Sequence, residues 1–321
     1  MRIISFERPE DPKGSQMRIG FVEDDRVLDP RLCASSDASN PAFADILSFI
    51  RAGGTALECA RALVRSAPDA AWHRLSHVRL APPILPNTIL CSGSNYHAHN
   101  REKAASPGSG KEPEFFVKTA DCVIGPDDAI VHDPRVASKL DCETELAVVI
   151  GRAGRHIPVA QALEHVFGYT IVNDVTARDK QVRRTAGGDV WYDLGRGKVF
   201  ETSAPLGPVI VTTDAIDDPQ RLIVETRING ELRQRASTAD MIWSCAELIS
   251  NFSSQMALRP GMVIITGTPA GTAWSTDPEL GGRHEPQPGV IAATRYCEPG
   301  DVVECEIESI GILRNTISSI F

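Results

Sequence analysis

Asp141-Cys142-Glu143-Thr144-Glu145-Leu146-Ala147-Val148-Val149-Ile150-Gly151 sets three acidic side chains at the mouth of an apolar run that ends on glycine. A run this short and rich in β-branched residues reads as a strand whose apolar positions must be buried. Residues two apart on a strand share a face, so Glu143 and Glu145 point the same way. Two like charges there repel each other, and a hard divalent cation relieves both the repulsion and the desolvation. The alternative is a solvated strand end with two exposed glutamates, and this pair alone does not decide between them.

A second segment, Gly168-Tyr169-Thr170-Ile171-Val172-Asn173-Asp174-Val175-Thr176-Ala177-Arg178-Asp179-Lys180-Gln181, also ends an apolar strand in a dense polar cluster. Asp174 can supply a third carboxylate. Arg178 offers a planar fork of donors for a carboxylate of the protein or of a substrate, and its competing role is an ion pair with Asp179 at a helix start. A third segment, Asn95-Tyr96-His97-Ala98-His99-Asn100-Arg101-Glu102, follows the strand-like TILCSGS. If the chain turns helical there, His99 and Glu102 lie one turn apart, and the carboxylate fixes the imidazole tautomer and raises its basicity. His97 is the rival histidine. Lys198 and the ITGTPAGT turn at 265–272 complete the polar groups that follow buried strands, and each is weak when taken alone.

Outward from these segments, short β-like runs far outnumber helical patterns and do not alternate with helices as βαβ units do. The expected class is therefore α+β and β-rich, not a doubly wound parallel sheet. Helical patterns are expected in PAFADILSFIRAG, ALECARALVRSA, VAQALEHVFG and TADMIWSCAELISNFSSQM, and a hairpin at Asn229-Gly230. The proline-rich APPILP suggests a small N-terminal α+β domain over 1–82 and a catalytic domain over 83–321. The stretch NREKAASPGSGKEPE, at 100–114, has the composition of a mobile lid.

Formal charge is −9, from 33 basic and 42 acidic residues, with no long run of either sign. That pattern argues against a nucleic-acid or anionic-membrane partner. The N-terminal composition is not that expected of a secretory signal or an anchor, no stretch reaches the length of a membrane span, and the expected location is cytoplasmic. The eight cysteines, at 33, 59, 91, 122, 142, 245, 297 and 305, show no paired ligand spacing. They read as reduced thiols, so a metal is to be sought among carboxylates.

The ordered series NY-x-x-H-x-x-E at 95–102, PEFFVK at 113–118, DCETELAVVIG, GYTIVNDVTARDKQ, GKVFETSAPLGP, ING at 228–230, ITGTPAGT and PGDVVECEIESIGILRNTI resembles the fumarylacetoacetate hydrolase superfamily. The resemblance runs from about Pro83 to the C-terminus. It implies a twisted β-sheet roll, a homodimer, and Mg²⁺, Mn²⁺ or Ca²⁺ held by Glu143, Glu145 and Asp174. It further implies a His99–Glu102 dyad, with Lys198 as a catalytic cation and Arg178, Gln181, Thr202 and Thr268 around a small oxo-acid substrate. The implied chemistry is hydrolysis of a carbon–carbon bond in a 1,3-dicarbonyl acid of the acylpyruvate or fumarylpyruvate type. The alternatives are isomerisation, decarboxylation or dehydration of a related 2-oxo acid, or a silent oxo-acid-binding protein. The segment from Ala273 to Glu298 is longer than the equivalent link in the short single-domain members, so pocket shape and substrate are expected to differ from theirs.

Overall fold

The computed structural model describes residues 1–11, 17–33, 40–103, 112–184, 187 and 190–320. The two segments singled out above are its central strands, Thr144–Ile150 and Val166–Asn173, and every residue of both is buried. They pair antiparallel with Thr144 opposite Asn173, inside a twelve-stranded sheet. Val166–Asn173 pairs on its other side with Ala204–Thr212. Thr144–Ile150 pairs with Val263–Ile265, which is followed in order by Ile89–Gly93 and Glu114–Lys118.

Alternation along the central strand divides the core. Leu146, Val148 and Ile150 pack with Leu248 and Phe252 of the Cys245–Gln255 helix and with Val224 and Ile307 of a second, five-stranded sheet. Ala147 and Val149 face the other way, into a cluster with Phe21, Phe49 and Ala60 from the N-terminal segment. Each fully buried aliphatic of this kind contributes about 1.5–3 kcal/mol. The result is the sheet-rich α+β architecture expected.

The N-terminal segment is not a detached layer. Its Arg2–Glu7 strand hydrogen-bonds to Ala204–Thr212 and so extends the main sheet, while the helices Ile46–Ala52 and Gly54–Ser66 cover one face. The APPILP stretch lies between the strands Arg79–Ala81 and Ile89–Gly93, and the Pro83 carbonyl accepts the Ser5 hydroxyl. Asn229 and Gly230, with φ of 54° and 80°, form the two-residue turn between Ile223–Ile228 and Glu231–Ser237. VAQALEHVFG departs from expectation. Val159–His165 is a 3₁₀ segment that buries Ala162 and His165 three apart, and the following Val-Phe-Gly enters the central strand. Most of the expected lid, residues 104–111, lies outside the described residues. No helix among those described is long and apolar enough to cross a membrane.

Candidate active site

Strand direction brings the polar segments together. Thr144–Ile150 runs antiparallel to Val166–Asn173 and to Val263–Ile265, and the latter runs parallel to Ile89–Gly93. The start of the first strand therefore sits beside the ends of the other three. Residues just beyond those ends line one cavity of about 220 Å³.

Glu143 and Asp174 face each other across the end of the central ladder. The Asp174 N–H donates to the Glu143 carbonyl at 2.8 Å, and the Glu143 N–H donates to Asn173 Oδ1 at 2.9 Å. Glu145, two residues on from Glu143, accepts the Gly267 N–H at 2.7 Å. Oxygens of the three carboxylates all lie within 4.8 Å of one another, and none of the three residues is more than 3% exposed. The solvated-strand-end reading of the two glutamates is thereby set aside.

The surrounding cations are shared unequally. Lys198 Nζ donates to Glu143 Oε2 and to Asp174 Oδ2, both at 2.5 Å, and Lys118 Nζ lies 3.0 Å from Asp174 Oδ1. Arg178 donates through Nε to Asp141 at 2.8 Å, through Nη1 to Gln181 Oε1 at 2.9 Å and through Nη2 to Glu143. Burial alone would raise the Glu143 carboxyl, but Arg178 and Lys198 hold it below the usual carboxylate range. Glu145 has no cation at ion-pair distance among the described residues. Burial, reinforced by Asp174 and Glu143, pushes its carboxyl well above the ordinary value. A buried carboxylate left without a counter-charge, inside an all-oxygen donor set, fits a hard divalent cation.

The two histidines sit in different surroundings. His97–Arg101 is helical, His97 is exposed, and His99 is buried at 4% exposure with its Nδ1 3.0 Å from Glu102 Oε2. The other Glu102 oxygen accepts the Gly271 N–H at 2.7 Å. His99 lines the cavity, and its Nε2 has no protein partner among the described residues. Burial pushes the imidazole well below its ordinary value and the Glu102 carboxyl up to about 8. These shifts leave the imidazole neutral and put the pair's proton on Glu102 at neutral pH, with the ionised carboxylate gaining as pH rises towards 8.

Gln181 and Thr268 also line the cavity. Thr268 is fixed by the Gln234 amide at 2.9 Å and the Thr144 carbonyl at 3.2 Å. Thr202 is not brought in. Its backbone turns with φ of 62°, its hydroxyl accepts the Val131 N–H at 2.9 Å, and the neighbouring Ser203 instead bonds Lys118 Nζ at 3.0 Å.

Several residues that build the cavity and its ion pairs escaped the sequence reading. Lys118 is completely buried and anchors Asp174, yet in sequence it is one lysine at the end of PEFFVK. Asp141 pins Arg178 and also accepts the Ala273 and Trp274 N–H groups. Trp274, from the long 273–298 segment, walls the cavity and holds Arg178 at 5.0 Å from its ring centre. The length of that segment was the only signal.

The fumarylacetoacetate (FAA) hydrolase C-terminal family matches residues 88–318, the whole span that builds this site. The chain belongs to the fumarylacetoacetate hydrolase family. It is 40% identical over 247 residues to the oxaloacetate tautomerase YisK of Bacillus subtilis, covering 76% of this chain and 75% of that one. Among solved structures, the fumarylacetoacetate hydrolase from Exiguobacterium antarcticum superposes with a TM-score of 0.74 at 34% identity, covering 99% of both chains. Maleylpyruvate hydrolase from Sphingobium sp. SYK-6, in complex with manganese(II) and pyruvate, gives a TM-score of 0.72 at 26% identity over 99% of both chains. Tautomerases, isomerases and hydrolases thus share the fold, and in this family member the triad suits a divalent cation whose identity the oxygen donors leave open among Mg²⁺, Mn²⁺ and Ca²⁺.

Proposed function

We propose that this family member is a divalent-metal-dependent tautomerase of a 2-oxo dicarboxylic acid, with oxaloacetate as its reference substrate. The observation that carries the reading is the His99–Glu102 dyad, a single proton-exchanging pair that faces the carboxylate triad without being tied into its ion pairs. Keto–enol exchange asks for one group that removes a proton from a carbon and returns it, and this pair does both. The 40% identity to an oxaloacetate tautomerase supports the same choice.

Glu143, Glu145 and Asp174 would hold the cation, which when bound supplies Lewis-acid charge for the carboxylate and 2-oxo oxygens of an oxo-acid. The protein's own residues account for the rest. With Glu102 ionised, it accepts the His99 Nδ1–H and leaves the Nε2 lone pair to take a proton from the carbon beside the 2-oxo group. As Nε2 gains that proton, the Nδ1 proton passes to Glu102, so the imidazole never becomes a cation and the dyad goes from one negative charge to none in a site of low dielectric. The electron pair left on carbon moves into the new carbon–carbon double bond, and the former 2-oxo oxygen takes a proton from solvent. The reverse sequence restores the ketone. Lys198, buried between Glu143 and Asp174, adds fixed positive charge where negative charge develops.

Carbon–carbon hydrolysis of an acylpyruvate is the second reading, favoured by the likeness to maleylpyruvate hydrolase. It uses the same dyad to deprotonate water. The deciding experiment follows the decay of enol-oxaloacetate absorbance and, in parallel, pyruvate release from acylpyruvates and fumarylpyruvate, each with Mg²⁺ or Mn²⁺. Accelerated enol decay with little pyruvate release is expected. Rapid pyruvate release with an unchanged enol decay would put hydrolysis in its place.

A further inference from the structure

Three cations line the cavity, and two of them are neutralised: Arg178 by Asp141 and Glu143, Lys198 by Glu143 and Asp174. The third, Lys103, has no carboxylate within ion-pair distance among the described residues. The adjoining stretch 104–111, AASPGSGK, contains no acidic residue. The Lys103 Nζ donates to Ser94 Oγ at 2.9 Å, and that hydroxyl in turn donates to Glu114 at 2.9 Å. It also stands 5.4 Å from the centre of the Trp274 ring, the ring that carries Arg178 at 5.0 Å.

The backbone is held as firmly as the side chain. Lys103 forms a bridge with Gly282, and the Arg283 N–H donates to the Glu102 carbonyl at 2.8 Å. The long 273–298 segment therefore fixes an ammonium group on the cavity wall, four residues on from His99, with donors to spare. Burial lowers its pKa to about 8, which leaves it mostly charged at neutral pH. An ordered, partly desolvated ammonium without a paired anion is suited to a carboxylate brought by a ligand.

We propose that Lys103 is the recognition group for the distal carboxylate of a dicarboxylic 2-oxo acid, with Trp274 as the wall along which the short carbon chain lies. This deepens the tautomerase reading and rests on its placement of the oxo-acid head at the triad. Lys103 then selects diacids over monoacids, while the dyad and the triad act on both.

Calorimetry on the Mg²⁺-loaded protein tests this with two ligands that cannot enolise: difluoro-oxaloacetate, and difluoro-oxobutanoate, which has a methyl group in place of the distal carboxylate. The wild type is expected to bind the diacid about tenfold or more tightly than the monoacid. K103Q should erase that preference while leaving the monoacid affinity within about twofold, and K103R should retain part of it. Equal affinities in the wild type, or equal weakening of both ligands in K103Q, would overturn the assignment; the first of these needs no variant to fold. If the preference depends on Lys103 but enol-oxaloacetate is not converted, the reaction reading fails and the subsite stands. Enol conversion with no Lys103-dependent preference sinks the subsite alone.

Discussion

His99 and Lys118 have separable tasks at the scale of single residues. His99 touches no carboxylate of the triad and is held by Glu102, so H99A should keep divalent-cation and oxalate binding while kcat falls about a hundredfold or more. H97A should stay near wild-type turnover, because that side chain is exposed. Lys118 carries no proton to substrate in this scheme, but it faces Asp174 at 3.0 Å from a fully buried position. K118M leaves a buried carboxylate short of a partner and should cost about 3–5 kcal/mol of stability, read by denaturant unfolding. The difference in legibility between the two is physical. A histidine three residues before a glutamate shows a geometry in the sequence, whereas a lysine after an alternating strand has the pattern of a surface residue, and only tertiary packing buries it.

Among the elements, the turn after Val263–Ile265 and the Asp301 link to the Asn229-Gly230 turn carry distinct stability roles. Gly271 has φ of 107°, and a Cβ there would sit 1.9 Å from the Arg233 carbonyl. Its N–H also holds Glu102. G271A should therefore unfold at lower denaturant and lose turnover beyond what its stability loss explains, since the chain cannot move without releasing the dyad. Asp301 links Arg295, at the end of the long 273–298 segment, to Asn229 of the hairpin turn. The Arg295 hydrogen bonds lower its carboxyl from 3.8 to about 2. A depressed carboxylate stabilises the fold above its unfolded value and loses that contribution as pH falls through the folded one. D301N should be less stable than wild type by about 1–3 kcal/mol at neutral pH, and unfolding curves should converge as pH drops from 4 towards 2. Strands and the Asn229-Gly230 turn were readable because alternation and positive-φ residues are local signals. The 3₁₀ segment at Val159–His165 and the role of Trp274 were not, since both depend on what packs against them.

Over the whole molecule, the site exists because antiparallel and parallel strands end at one edge of a sheet that the N-terminal segment helps to complete. Cation binding at that edge should stabilise the entire fold, by about 2.7 kcal/mol when the free ion is at a hundred times its Kd. Thermal unfolding with Mg²⁺ or Mn²⁺ should show a raised Tm for the wild type and no shift for E145A. In the proposed reaction the cation held by the triad receives the substrate's oxo-acid head, and His99, backed by Glu102, exchanges the proton. The most direct test is the decay of enol-oxaloacetate with Mg²⁺-loaded wild type and H99A, compared at matched oxalate affinity. The account requires catalysed decay by the wild type and a rate near the uncatalysed one for H99A. Undiminished decay with H99A, or no acceleration by the wild type, would contradict it.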